Sequence, residues 1–115
     1  MLSIGGYLPP EKTGTILNAV TATGAGAALA LGSLLSKHSV TLTWGGTVPI
    51  SAVVALEGSQ DGTNYVAMKT IIMDASPYIQ AVVNVPVKYV RGNYVSKVGG
   101  DGTTAITMTY SGGGN

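Results

Sequence analysis

Cysteine is absent from this chain of 115 residues, and so is phenylalanine. The first absence removes disulfides and thiolate metal sites and leaves the redox compartment open. The second shifts core volume onto Val, Leu, Ile, Met, Trp44 and six tyrosines. Charge is scarce as well. Asp, Glu, Lys and Arg make up 10% of the residues, against about 25% in ordinary globular domains. No run of about 18 apolar residues exists, so no membrane-spanning helix is expected. The nearest approach, Ala25 to Leu35, is shorter and broken by Gly26 and Gly32. Met1 to Gly6 lacks the basic and hydrophobic regions of a secretory signal.

The six basic residues, Lys12, Lys37, Lys69, Lys88, Arg91 and Lys97, are dispersed, and the formal net charge is +1. A nucleic-acid groove or an anionic-membrane surface needs a basic cluster, so neither partner is expected. Surface scaling gives a folded chain of this length roughly 5,800 Å², or about 500 Å² per charge, which is sparse for a surface facing only water. Interface cores are depleted of charge. The composition therefore predicts that part of the surface is covered by other protein, a homo-oligomer being the simplest case.

What is present is strand sequence. Residues 1–14 stand apart: Leu2, Ile4, Tyr7 and Leu8 follow no period, and Pro9-Pro10 suits an extended path and no strand or helix interior. This segment reads as an extended arm that docks on a partner or folds back over its own domain. Residues 15–111 read as one β-domain, and 112–115 as a flexible Gly-rich tail.

Within the domain, Val40, Leu42 and Trp44 alternate with Thr41 and Thr43, the period-2 signature of a half-buried strand. Ile50, Ala52, Val54 and Leu56 repeat it, as do Thr104, Ile106, Met108 and Tyr110. Asn64 to Met73 is apolar on both faces and predicts a strand covered on each side. Leu34 to Lys37 reads as a turn or a single helical turn. Pro86 is expected to break a strand running from Tyr78, and Gly92 to mark a bulge. About eight short strands and no convincing amphipathic helix predict an all-β, antiparallel two-sheet β-sandwich, jelly-roll-like in topology, with an immunoglobulin-like arrangement as the alternative. No Cys…Trp…Cys pattern supports the latter.

Chemistry is thinly supplied. The titratable groups suited to catalysis are His38, Glu11, Glu57, Asp61, Asp74 and Asp101, and none forms a recognisable acid–base or nucleophile pair. His38, beside Lys37 at a predicted strand start, reads as a solvated edge residue. No enzyme activity, cofactor or metal site is expected. Asp61-Gly62 has the dipeptide of a type I′ hairpin turn. The loop Asp61 to Asn64 offers hard oxygen ligands for calcium, but one carboxylate is too few. Tyr65, Tyr89, Tyr94 and Tyr110 allow a sugar-stacking platform, although strand tyrosines more often pack at core edges with a wet hydroxyl.

Three segments carry a resemblance. Asn18-Ala19-Val20-Thr21-Ala22-Thr23-Gly24-Ala25-Gly26-Ala27-Ala28-Leu29, then Val54-Ala55-Leu56-Glu57-Gly58-Ser59 with Asp61-Gly62-Thr63-Asn64-Tyr65, then Val87-Lys88-Tyr89-Val90-Arg91-Gly92-Asn93-Tyr94 resemble, in this order and spacing, small structural proteins of tailed-phage virions. The pattern is similar to that of head decoration, or cement, proteins. Gly92 departs from the alanine, and Tyr65 from the tryptophan, frequent there. The resemblance implies a chain made in the host cytoplasm and carried on the virion. There it would bind the outer shell at junctions of the major capsid protein and stabilise the head as a homotrimer. It also makes Leu2, Ile4, Tyr7, Leu8, Pro9 and Pro10 the expected partner interface. A minor tail or tail-tip component is the alternative, and a carbohydrate-binding β-sandwich using the tyrosines is the second.

Overall fold

Alternating apolar and hydroxyl-bearing residues cannot bury one face as a helix, so the chain folds as strands that share an interior. A computed structural model describes residues 12–45, 51–73, 78–99 and 104–113. They form seven strands: β1 (Lys12–Val20), β2 (Gly24–Ala25), β3 (Leu29–Gly45), β4 (Ser51–Ser59), β5 (Val66–Ile72), β6 (Tyr78–Val98) and β7 (Ala105–Gly113). Every pairing is antiparallel. Only β4 and β5 are joined as consecutive neighbours, the sheet order being β1-β7-β3-β6-β4-β5 with β2 on β6. The fold is an all-β antiparallel sandwich.

Its two layers share two long strands. In the first layer β1, β7, the Lys37–Gly45 part of β3 and the Tyr78–Asn84 part of β6 lie side by side. In the second, the Tyr89–Val98 part of β6 is flanked by β4 and β5 on one side and by β2 and the start of β3 on the other. Strands β3 and β6 pass from layer to layer through irregular register. Ala30 pairs Tyr89 and Leu35 pairs Val87, so four residues of β3 face Lys88 alone; Lys37 then pairs Asn84. Gly32, at φ 82°, takes the left-handed conformation within this excursion.

These corners explain two departures from the sequence. Leu34 to Lys37, expected as a turn, continues one 17-residue strand. Pro86, expected to break a strand, sits inside the 21-residue β6. It falls where the β3 ladder skips residues, so its missing N–H costs no ladder bond. Gly92 pairs regularly with Leu56, and the β6 bulge falls at Val95 instead. Gly92 is small for another reason: a Cβ there would lie 2.7 Å from Leu17 Cγ, and its carbonyl accepts the Gly26 N–H at 2.8 Å.

The interior holds the three predicted stripes. Val40, Leu42 and Trp44, then Ala52, Val54 and Leu56, then Ile106, Met108 and Tyr110 are all buried. Each large apolar side chain contributes about 1.5–3 kcal/mol by leaving water. The outer face of the first layer carries hydroxyls in register. Thr15, Thr109 and Thr41 form one rank, and Thr13, Ser111 and Ser39 the next. Uncharged hydroxyls thus hydrate much of a surface that has few charges.

Strand β5 differs from expectation: it ends the sheet, and Val66 and Ile72 are 64% and 70% exposed, so it is not covered on both sides. Both terminal strands meet register shifts, at Thr15/Leu17 and Leu17/Val20 on β1 and beside Met68 on β5. Bulges of this kind blunt edge-to-edge pairing. β1 begins at Lys12, inside the expected arm, and β7 runs to Gly113, inside the expected tail. Leu2, Ile4, Tyr7, Leu8, Pro9 and Pro10 lie outside the described residues.

Candidate functional site

His38 is fully buried, in contrast to the solvated edge residue the sequence suggests. Its Nε2 lies 2.6 Å from the Val85 carbonyl and its Nδ1 2.6 Å from the Tyr110 hydroxyl. A carbonyl only accepts, so Nε2 carries the proton. In the neutral ring the Tyr110 O–H then donates to Nδ1. Burial pushes the Tyr110 hydroxyl pKa up to about 12. This cluster joins β3, β6 and β7 inside the sandwich, so it is structural. Its partners lie 47 and 72 residues away in sequence, which is why no local signal announces it.

The Asp61 loop is held by its own side chains. Asp61 Oδ1 accepts the Thr63 and Asn64 N–H groups at 2.8 Å each and the Ser59 hydroxyl at 2.9 Å. Oδ2 accepts the Asn64 amide at 2.7 Å, and Ser59 Oγ accepts the Gly62 N–H at 2.9 Å. The Asn64 and Thr63 N–H groups foremost hold the Asp61 carboxyl well below the usual carboxylate range. Only Gly62, at φ 77°, takes positive φ here; Asp61 does not, so the turn is not type I′. Both carboxylate oxygens accept from the loop's own groups, so this side chain serves the turn.

The tyrosines divide between interior and surface. Tyr94 and Tyr110 are 1% and 2% exposed and belong to the core, which removes them from any sugar platform. Tyr65 and Tyr89 are half-buried on the outer face of the second layer. A Cβ at Gly62 would lie 3.2 Å from the Tyr89 ring, so the Asp61 loop covers one side of that ring.

Beside the two tyrosines lies a polar cluster. The Arg91 guanidinium carbon sits 4.0 Å from the Tyr65 ring centroid, a cation–π arrangement. Arg91 Nε donates to Glu57 Oε1 at 2.7 Å, and the Asn93 amide donates to Glu57 Oε2 at 2.9 Å. Glu57 pairs with Arg91 across β4 and β6, and Ala55 with Asn93. Because alternate residues share a face, Tyr89, Arg91 and Asn93 all point outward while Val90 and Tyr94 point in. Alternation of polar Arg91 and Asn93 about Gly92 is the local signal that could mark this cluster, and it does not name the partner Glu57.

At the end of the same layer, a groove of about 340 Å³ runs between the Asp61 loop and the β6 corner, lined among others by Ser59, Asn64, Val66, Val85 and Pro86. Gln60 Nε2 reaches the Pro86 carbonyl across it at 3.4 Å. Among the described residues no three metal-ligating side chains come together.

No protein-family model matches the chain, and no curated protein matches it. Its fold is similar to three kinds of solved structure. A chitosan-binding module from a chitosanase/glucanase of Paenibacillus sp. IK-5, solved with chitotriose, aligns at TM-score 0.53 and 15% identity over 86% of this chain and 92% of that one. A CBM32 module from a family 31 glycoside hydrolase of Clostridium perfringens gives 0.56 and 8%, over 90% and 95%. The SPBc2 prophage-derived protein YomS gives 0.53 and 11%, over 96% and 99%. At these identities the likeness is one of fold.

Proposed function

We propose that this chain is a non-catalytic carbohydrate-binding β-sandwich, with the sugar lying on the outer face of the second layer. The observation that carries this reading is the outward cluster of Tyr65, Arg91, Glu57 and Asn93 beside Tyr89. Sugars present apolar C–H faces and a rim of hydroxyls; aromatic rings take the former, and a guanidinium and an amide fixed by Glu57 take the latter. The cluster is held before any ligand arrives, so little ordering entropy opposes binding. Its carboxylate and guanidinium neutralise each other, an arrangement suited to hydrogen bonding and poorly suited to proton transfer. The fold shared with chitosan-binding and CBM32 modules is consistent with the reading. A glycan array tests it. Wild-type chain should give discrete positives that Tyr65→Ala and Tyr89→Ala weaken, while a blank array would refute it.

A second reading has its own observation. Val66, Ile72, Val82 and Val98, spread over both layers, are each more than 60% exposed, apolar side chains that a covering protein would take out of water. Together with the resemblance to tailed-phage virion proteins and the fold shared with a prophage-derived protein, this supports a structural role on the virion, as a capsid decoration protein or a tail component. The interface on the major capsid protein would then be the arm residues Leu2, Ile4, Tyr7, Leu8, Pro9 and Pro10. The two readings are compatible, because the sugar face and the arm are different parts of the chain.

A further inference from the structure

We infer that the outer-face site selects carboxylate-bearing sugars over cationic ones, an inference that rests on the carbohydrate reading. A cationic sugar such as a glucosamine unit needs an unengaged carboxylate. Neither nearby acid offers one. Glu57 has Arg91 on one oxygen and Asn93 on the other. Asp61 accepts from Ser59, Thr63 and Asn64 on Oδ1 and from the Asn64 amide on Oδ2.

The donors point the other way. Arg91 is 30% exposed, its flat group is fixed by the Tyr65 ring and by Glu57 at Nε, and its two terminal amino groups have no partner among the described residues. Two parallel N–H groups in one plane match the two oxygens of a carboxylate, a geometry that a lysine ammonium does not reproduce. The half-buried ring of Tyr65 beside the guanidinium supplies apolar surface.

The experiment is calorimetric titration of the full chain with three trisaccharides of equal length: trigalacturonate, cellotriose and chitotriose. Trigalacturonate should bind about tenfold more tightly than chitotriose at low salt, with the gap narrowing as salt rises. Arg91→Lys should lower the ratio of acidic to neutral affinity about fivefold, because charge is kept and the fork is lost. Glu57→Gln, which keeps the acceptor for Arg91 and removes its counter-charge, should raise that ratio. Matched melting curves show that the variants are folded. Chitotriose binding as tightly as trigalacturonate, or a ratio indifferent to both variants, overturns this inference and leaves the carbohydrate reading standing. Binding of none of the three overturns this inference, and a blank glycan array with the same chain overturns the carbohydrate reading as well.

Discussion

Replacing Tyr110 by phenylalanine removes one oxygen from the centre of the sandwich, and its cost can be worked from the His38 cluster. Tyr110 is 2% exposed and His38 has no exposure, so neither group can turn to water. The lost hydrogen bond spans 2.6 Å, and its removal leaves the His38 Nδ1 buried without a partner. Stranding a buried polar group costs about 1–3 kcal/mol. For a domain of this length that corresponds to a fall in Tm of about 4–12 °C, measured by calorimetry. A second, independent readout is alkaline stability. Burial raises the Tyr110 pKa to about 12, so the folded chain holds the proton that the unfolded chain releases near 10. The stability tied to this group is complete below pH 10 and drains away as pH rises towards 12. Tyr110→Phe should therefore show a shallower alkaline loss than wild type. A glycine links to the same oxygen: a Cβ at Gly112 would collide with the Tyr110 hydroxyl. Gly112→Ala should cost less in the Phe background than in wild type. Unchanged Tm, with superimposable alkaline profiles, would refute the idea that this cluster holds β3, β6 and β7 together.

Two further outcomes are expected. Asp61→Ala should release the Thr63 and Asn64 amides to fast hydrogen exchange while the core amides stay protected. In wild type those two amide signals should hold their positions as pH falls past the ordinary carboxyl value of 3.8, because the lowered pKa keeps Asp61 charged and the loop is lost only in stronger acid. Deleting residues 1–10 should leave the melting temperature within about 2 °C and reduce co-sedimentation with purified capsids, since burying Leu2, Ile4, Tyr7 and Leu8 is worth about 1.5–3 kcal/mol each before ordering costs; a truncated chain that melts early would place the arm in its own core.

What was legible in the sequence were stretches whose alternation is uninterrupted. The stripes at Val40, Ala52 and Ile106 declare their buried faces because period 2 is a local property. The corner of β6 defeats that logic. Simple alternation from Val87 places Tyr89 and Arg91 on its own face, yet Val90 and Tyr94 are the buried ones. The phase of the pleat shifts beside Lys88, where β3 inserts four residues opposite one. Such a shift depends on a strand more than fifty residues away. His38 was misjudged for the same reason, since Lys37 beside it faces solvent and its own partners come from β6 and β7. The tyrosines were half legible: Tyr65 and Tyr89 lie on the outer face and Tyr94 and Tyr110 in the core, and nothing local separates the two pairs.

That phase shift also decides which side chains of β6 reach the outer face. Before the corner, β6 turns Ile79, Ala81, Val83 and Val85 towards the core; after it, Val90, Gly92 and Tyr94. Continuing the first phase would bury Tyr89, Arg91 and Asn93 and expose Val90 and Tyr94. An unpaired guanidinium would then sit in the interior, at a cost of several kcal/mol. The core therefore fixes which way Arg91 points, and it does so through irregular pairing at Pro86 and Lys88 that a regular ladder would not allow. On one side of that corner the Val85 carbonyl is held by His38; on the other Arg91 is held by Glu57 and Tyr65. A single strand thus carries the core cluster and the outer cluster, with the bulge between them deciding which is which.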